Sequence, residues 1–449
     1  MTRFVGIDLH KKVAQICILN AQGSCLEELS VPVSRSHLLD FCKKTLKPED
    51  QLVLEATTNT WAAVDLLEPF VGSISVSNPL QTKAIACAKV KTDKVDARVL
   101  AHLLRCDYLP KVWQPDPLTR RLRSLTNRRA ALVSQRTAIK NRIHATLAQR
   151  LIDQEVYDLF VTKGLAWLRN LKLDEDGQLA LEADLRLLEA LESEIQQMET
   201  HMAKMTYSQE DVRLLMTLPG VSMIVAVGLL AAWGDVKRFK TASKAAAYLG
   251  LVPSTRQSAN KCYHGPITKR GPAKARWLLI QAAQQLMRFP GPHGYFFAKS
   301  KRRKNHNVAV CASARKLAVI AWHLLQNRKP YRYALPKPTA AKLAKVRILA
   351  TGEKRHGGWT KGRKRSELKD QSQRMLTVPT TQSVCLREAL PATKQLNDIP
   401  PGERKFLSES HGWPHFEKVC TQRKIPRNKQ PIVSEAEPWV GTEDSKATR

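Results

Sequence analysis

RFVGIDLH at residues 3–10, QLVLEATTNTW at 51–61 and VKTDKVDARVLA at 90–101 decide the fold. The first two are short, largely apolar runs that each end on a carboxylate, Asp8 and Glu55, as strands do when their last side chain reaches the rim of a sheet. The third carries Asp93 and Asp96 three residues apart, which places both on one face of a helix. Around these anchors, residues 3–9, 14–19 and 25–31 read as three consecutive strands, with a turn at Ala21-Gln22-Gly23 joining the last two. A helix over 37–44, a strand over 51–55, a helix over 61–70, a strand over 73–77 and helical segments over 80–105 come next. Three strands and then alternating helix and strand predict an α/β N-terminal domain, a mixed sheet with flanking helices.

Lys and Arg number 73 against 40 acidic residues in 449, a formal charge of +33. Such an excess points to a polyanionic partner, nucleic acid first, more than to a small substrate. The longest apolar run, 221–233, is too short to cross a bilayer, and MTRFVGIDLH does not read as a secretory signal. A cytoplasmic protein without a membrane partner is expected. Nine cysteines without a CxxC pair suggest reduced, structural thiols.

Charge divides the chain. Residues 1–110 carry 13 basic and 12 acidic side chains, residues 118–150 nine bases and no acid, and residues 174–199 nine acids against Arg186 alone. Between Asp235 and Glu353 there is no carboxylate, while Lys and Arg occur 25 times. Leu118, Leu122, Leu125, Leu132, Ile139 and Ile143 keep a heptad spacing, and Leu181, Leu185, Leu188, Ile195, Met198, Met202 and Met205 do much the same. A coiled-coil hairpin or ordinary bundle helices both fit, with the opposite charges favouring pairing. Arg129 and Arg136 at seam positions, with Arg128 beside them, suggest nucleic-acid contact. Residues 211–325 read as helical with glycine and proline breaks. From about 336 the chain turns basic and Pro/Gly-rich, notably KRHGGWTKGRKR at 354–365, and a flexible tail is expected. The divisions are 1–110, an α/β domain; 111–205, a helical coiled-coil linker; 206–335, a mainly α domain; and 336–449, a basic, partly disordered tail.

Each of Asp8, Glu55, Asp93 and Asp96 has a plain alternative as a cap or a solvated charge. Together, on converging elements, four carboxylates suit two divalent cations, hard ions that prefer oxygen and clamp the attacking and leaving oxygens of a phosphoryl transfer.

GID near the start, LEAT at the next strand end, NP at 78–79 and KTDKVDAR together resemble the DEDD transposases of the insertion-sequence IS110 family, whose N-terminal domain is similar to RuvC and RNase H. That resemblance implies an RNase H/RuvC-like domain with Asp8, Glu55, Asp93 and Asp96 as ligands for two Mg²⁺ ions, Mn²⁺ substituting. The stretch LLMTLPGVSMIVAVGLLAAWGD, and its continuation to ARWLLIQAA, resembles the family's second domain. LPGVSMIVAVGLL reads as a helix-hairpin-helix-like element offering amides to a phosphate, or as an ordinary helical corner, with Ser222 where a second turn glycine is usual. The resemblance extends to about residue 335.

Ser258 in STRQSANKC aligns with the family's catalytic serine, although Ala259 stands where glycine is more frequent. Arg256, Lys261, Lys269, Arg270 and Arg276 surround it in sequence and suit phosphate neutralisation. Arg315, with Lys316, interrupts an apolar helix and is a further candidate contact. With no acid between 235 and 353, Ser258 cannot be activated by a carboxylate of its own stretch, and His264 is the nearest local base. A composite site formed on assembly is expected. His411 and His415 read as loop residues, the intervening GWP being incompatible with a helical metal site.

The resemblance implies a transposase that cuts and rejoins donor and target DNA under guidance of a bridge RNA, as a dimer or tetramer assembled through the coiled coil. Two readings stay open from the residues: a junction-resolving endonuclease with water as nucleophile, and a nucleic-acid-binding protein without catalysis.

Overall fold

A computed structural model describes residues 2–85, 92–258, 261–289, 291–352, 381–391, 418 and 421–422. They fall into two compact units, Met1–Pro115 and Asp116–Arg449.

In the first unit the chain forms β1 (Phe4–Leu9), β2 (Val13–Leu19), β3 (Cys25–Pro32), α1 (Arg35–Thr45), β4 (Gln51–Glu55), α2 (Thr60–Leu67), β5 (Ser73–Ser77), α3 (Pro79–Ile85) and α4 (Asp93–Arg105). One mixed sheet has the order β3-β2-β1-β4-β5. β1 lies antiparallel to β2 and parallel to β4, and β4 parallel to β5. Strand alternation sorts the side chains into two faces. Val5, Ile7, Ile16, Ile18, Leu52 and Leu54 pack with Phe41 of α1 and Val64 and Leu67 of α2. The opposite face, with Cys17, Leu19 and Val53, is covered by Ala97, Leu100, Ala101 and Leu104 of α4.

Gly6 makes that second contact possible. A Cβ on Gly6 would stand 2.1 Å from the Ala97 carbonyl oxygen and 2.7 Å from the Ala101 amide nitrogen. The helix backbone therefore rests directly on β1, which no other residue type permits. At the far end of the sheet Arg3 grips the buried Asp50 with Nε at 2.8 Å and Nη2 at 2.7 Å.

The second unit is mainly helical. Its long pair is α5 (Pro117–Gln149) and α7 (Glu175–Thr206), with α6 (Thr162–Asn170) at the tip. Arg129 bonds Glu199, Arg142 bonds Asp184 and Arg150 bonds Asp174, so the two helices run antiparallel with the basic stretch on the acidic one. Asp184 is buried in that seam, so its pair with Arg142 also penalises a slipped register, in which the charge would be buried alone. Arg129, expected to contact nucleic acid, has its guanidinium on Glu199 at 2.8 Å and mostly covered. Leu159 and Leu168 close the tip against Ile143, Leu147, Leu181 and Leu185.

At the other end Leu122 and Met202 join the core of α8 (Glu210–Met216), α9 (Met223–Trp233), α10 (Ala242–Tyr248), α11 (Ala273–Gln284), α12 (Pro292–Arg303) and α13 (His306–Asn327). The stretch expected as a separate linker thus belongs to the same compact unit as these helices. Between α10 and α11 the expected all-helical pattern is broken by a hairpin, β6 (Pro253–Ser258) and β7 (Lys261–Ile267). STRQS and KCYHGPI have no apolar period of either kind, so hydrophobic patterning gives no sign of their strand pairing.

The basic tail also needs correction. α14 (Pro336–Thr351) buries Leu343 and Val346 in the core, and α15 (Thr381–Arg387), with Leu390 after it, adds Val384 and Cys385. Lysines spaced along 336–351 mask the apolar stripe that seats this helix. Residues 354–365, His411 and His415 lie outside the described residues. α13 is long and apolar enough to cross a membrane, with half of the relevant window buried; the count of unbroken apolar residues misses it because Arg315 and Lys316 interrupt the run. Its Ala314, Leu317, Ala318 and Ala321 pack into the core.

Gly6→Ala is expected to cost about 3 kcal/mol, the upper end for overpacking, because both atoms it meets are backbone; thermal unfolding of the first unit would register it. A second outcome concerns His293, buried with Nε2 donating to the Ser313 carbonyl at 3.1 Å and held at about 4 by desolvation. In the unfolded chain an imidazole takes up its proton near 6.5. Stability present above that pH is therefore lost as pH falls toward 4, on the order of 3 kcal/mol in all. His293→Gln should flatten the stability profile across that window.

Candidate active site

The acids gather where the first unit's topology puts them. Asp8 is the last but one residue of β1, two beyond Gly6 on the face that carries α4, and Glu55 ends β4 two residues beyond Val53, on the same face. Both lie at carboxyl ends of adjacent parallel strands, the rim at which open α/β sheets hold ligands. α4 begins there. Thr92 caps it, its hydroxyl accepting from the Val95 amide at 3.4 Å, and Asp93 and Asp96 occupy the first turn, where the helix dipole favours negative charge.

Asp8 is 6% exposed. His10, which no sequence motif singled out, stands between two of the acids, its Nε2 3.0 Å from Asp8 Oδ2 and 3.5 Å from Asp93 Oδ1. Ligand atoms of Asp8, His10 and Asp93 all lie within 4.8 Å of one another. Burial raises the Asp8 carboxyl above the usual carboxylate range; His10 opposes this by charge and hydrogen bond, while Asp96 and Asp93 add to it. Asp96 is thus close enough to act on Asp8. Glu55 shares the face without entering the tight triad. Its turn is fixed by Thr60, whose hydroxyl donates to the Glu55 carbonyl at 3.1 Å and accepts from the Thr57 amide at 2.6 Å. Asn59 ties that turn to the next, donating to the His10 carbonyl at 3.3 Å. The available signal for His10 was its place two residues after Asp8.

The donor set suits a hard divalent cation: carboxylate oxygens with one imidazole, at least one carboxylate largely withdrawn from water and crowded by like charges. Crowded, desolvated carboxylates are relieved by a cation, which is the electrostatic reason to place one there.

Ser258 ends β6 in the second unit, fully on the surface, paired with Lys261 across the hairpin. Arg256 pairs with Tyr263, so Arg256, Ser258, Lys261 and Tyr263 share one face. His264 belongs to the other face, its Nδ1 3.1 Å from the Thr255 hydroxyl. The local base considered for Ser258 is thereby removed, since the ribbon separates them. The hairpin's foot is locked by two glycines. A Cβ on Gly250 would meet the Arg270 carbonyl oxygen at 2.2 Å and one on Gly271 the Tyr248 carbonyl oxygen at 2.1 Å, and both have positive φ. Arg276, expected as a nucleic-acid contact, spans this lock, its Nη1 donating to the Leu249 and Arg270 carbonyls at 3.1 Å. Lys269 and Arg270 are exposed beside it, Arg128 is exposed on α5, and Arg136 and Arg315 are half-buried. In the α8–α9 corner, Leu218 and Val221 are buried and their carbonyls accept from Lys342 at 2.7 and 3.0 Å, while Ser222 is exposed and caps α9.

A family model for DEDD proteins of the IS110 type, described as Transposase, matches residues 5–151. A second, described as Transposase IS116/IS110/IS902 family, matches residues 212–297. The chain belongs to the IS110 transposase family. The transposase for insertion sequence element IS1111A of Coxiella burnetii is 25% identical, over 74% of this chain and 91% of that one. The transposase for element IS1328 of Yersinia enterocolitica is 27% identical, over 71% and 95%. The pilin gene-inverting protein of Moraxella bovis is 24% identical, over 73% and 97%. Among solved structures, T. thermophilus RuvC in complex with a Holliday junction substrate aligns at 13% identity, over 25% of this chain and 100% of that one, with a TM-score of 0.19. Both family matches span the residues assembled above: Asp8, Glu55, Asp93, His10 and Asp96 fall in the first, Ser258 and its hairpin in the second.

Asp8→Asn gives a crossed outcome. The raised Asp8 carboxyl means that ionising it costs the folded state more than the unfolded one, so without divalent cations the variant should unfold at a higher temperature than the wild type. Added Mg²⁺ or Mn²⁺ should stabilise the wild type, by about 2.7 kcal/mol at a hundredfold excess over Kd, and leave the variant unmoved. Equal stabilisation of both would remove Asp8 from any cation site.

Proposed function

We propose that this transposase cuts and rejoins DNA through Ser258, with Asp8, Glu55, Asp93 and Asp96 holding two divalent cations, Mg²⁺ in the cell. The observation that carries the reading is the gathering of Asp8 and Asp93 around His10 at the rim where β1 and β4 end, with Glu55 on the same face. Cations held there would supply Lewis-acid stabilisation of charge on the transferring phosphoryl group. The chain's own residues do the rest. Gly6 lets α4 bring its acids to the strand end, Asn59 and Thr60 hold the turns from which Glu55 and His10 project, and His10 fixes the orientation of the Asp8 carboxylate.

In the second unit the Ser258 hydroxyl is the nucleophile. Its Oγ forms a bond to phosphorus as the strand's P–O bond breaks, the hydroxyl proton is lost and the departing oxygen is protonated. Rejoining reverses the exchange with a different strand end. Lys261 across the ribbon and Arg256 on the same face neutralise the phosphate under attack. Lys269, Arg270, Arg128, Arg136 and Arg315 track the backbone of the nucleic acid, and the exposed Ser222 end of α9 offers amides to a phosphate as a helix-hairpin-helix does. Residues 236–352 hold no carboxylate, and His264 lies on the other face of the hairpin, so in this reading serine and acids act on one DNA.

We further propose that sequence choice rests with a bridge RNA pairing to donor and target DNA, while the protein reads shape and phosphates. In this reading the assembly is a cytoplasmic homo-oligomer, dimer or tetramer, and the N-terminal domain works as a RuvC/RNase H-like nuclease domain.

Ser258→Ala and Asp8→Asn should each lower strand cleavage by about 10³-fold or more while DNA binding persists, and only the wild type should yield a covalent protein–DNA species on denaturing gels. Cleavage retained by Ser258→Ala, with no adduct in the wild type, would establish water as the nucleophile. Purification from the native host followed by sequencing of bound RNA should recover one structured transcript from beside the gene; bulk cellular RNA alone would exclude the guide.

A further inference from the structure

Cys17 on β2 and Cys25 and Glu28 on β3 form a second cluster, away from the acids just described. The two sulfurs are 3.9 Å apart, and a ligand atom from each of the three residues lies within 4.8 Å of the others. A β-bulge creates this grouping. Cys17 pairs with Glu28 and Ile18 with Glu27, but Leu19 pairs with Cys25, so β3 carries one extra residue, Leu26. Without the insertion Cys25 would face the opposite side of the sheet; with it, Cys25 shares the face of Cys17 and Glu28.

The charge balance is equally pointed. Arg98 of α4 donates to Glu28 Oε1, from Nε at 3.1 Å and from Nη2. Both contacts end on one oxygen and leave the other to a further cation. Two thiolates and a carboxylate carry three negative charges, and a divalent cation together with Arg98 balances them. The sulfur separation also fits, since two thiolates bound at about 2.3 Å in a tetrahedral site stand about 3.8 Å apart. Oxygen-preferring Mg²⁺ has no use for such donors, whereas zinc-class ions favour them. We propose that Cys17, Cys25 and Glu28 form a binding site for a zinc-class, thiophilic divalent cation, three protein ligands with a fourth position open.

Occupancy has a mechanical consequence. Cys17 packs on Ala97 and Ala101 of α4, and Glu28 holds Arg98 of the same helix, so the bound ion ties β2 and β3 to the helix that begins with Asp93 and Asp96. Burial, with Cys25 adding to it, pushes the Cys17 thiol up to about 12. Metal binding by thiols releases protons, so affinity rises with pH.

The test uses the full reduced chain titrated with Co²⁺ in absorbance, which reports thiolate ligation as an ultraviolet charge-transfer band. One equivalent is expected, with the band abolished in Cys17→Ser and in Cys25→Ser, affinity lowered roughly tenfold or more in Glu28→Gln, and the band intact in Asp8→Asn. Cys25 is exposed, so its serine variant should keep the wild-type circular dichroism and serves as the decisive one if Cys17→Ser fails to fold. A band unchanged in Cys25→Ser, no band at all, or peroxide converting the pair to a disulfide in a chain that binds no Co²⁺ would overturn the assignment.

Discussion

The backbone of α4 lying directly on Gly6 is the constraint on which the first unit's chemistry depends. Nothing but hydrogen separates the strand from the Ala97 carbonyl, and that contact sets how far along β1 the helix starts. Shift α4 outward by the radius of a methyl group and Asp93 leaves His10, and the grouping of Asp8, His10 and Asp93 is opened. Catalytic geometry of this kind tolerates errors of only about 0.5 Å, so a missing side chain at position 6 does as much for the site as the acids themselves. The same contact explains why small residues, Ala97 and Ala101, face the strand.

Charge has a different job in each part of the second unit. Along α5 and α7 it sets register: bases from 118–150 meet acids from 174–199 in antiparallel order, and the buried Asp184 penalises slippage. In the stretch without carboxylates, composition overstates the free positive surface. Arg276 is spent on two carbonyls, Arg238 donates to the Trp233 carbonyl and lies over the Phe239 and Tyr248 rings, and Arg328 pairs with Glu210 and Asp211 from outside the stretch. What remains exposed includes the hairpin, its foot at Lys269 and Arg270, and the end of α12, with further single lysines and arginines spread along the stretch. A guanidinium that satisfies carbonyls at a helix end contributes to the fold and gives little to a polyanion.

The legible parts of the sequence were those governed by local period. Strands 51–55 and 73–77 stand where the apolar runs put them, and the other strands and helices of the first unit begin and end within two or three residues of the pattern, because each buries one face against one neighbour. The placement of Asp8 and Glu55 was legible for the same reason, each lying at the close of an apolar run, and that of Asp93 and Asp96 from their helical spacing. His10 was not, since a lone histidine just past a strand carries no period. The hairpin was hidden because neither of its strands buries an apolar face, and α14 because lysines crowd its stripe. The partners of Arg129 and Arg276 were hidden for a third reason, that a seam or loop arginine looks the same in sequence whether it meets Glu199, a carbonyl or a phosphate.

The hairpin carries the last step. Two strands with every residue but those at the foot exposed make a marginal structure on their own in water, and here only the foot is fixed, by Gly250, Gly271 and Arg276. The register nevertheless decides what the tip presents. Cross-strand pairing gives Ser258 the company of Lys261, Arg256 and Tyr263 and sends His264 to the far side with Thr255. A hydroxyl displayed among cations, with no imidazole on its own face of the ribbon, sits on a surface that attracts a polyanion. One residue of slippage would exchange the faces of one strand and bring the imidazole onto the serine's face, so the glycine lock at the foot, more than any group at the tip, sets which groups share the face of Ser258.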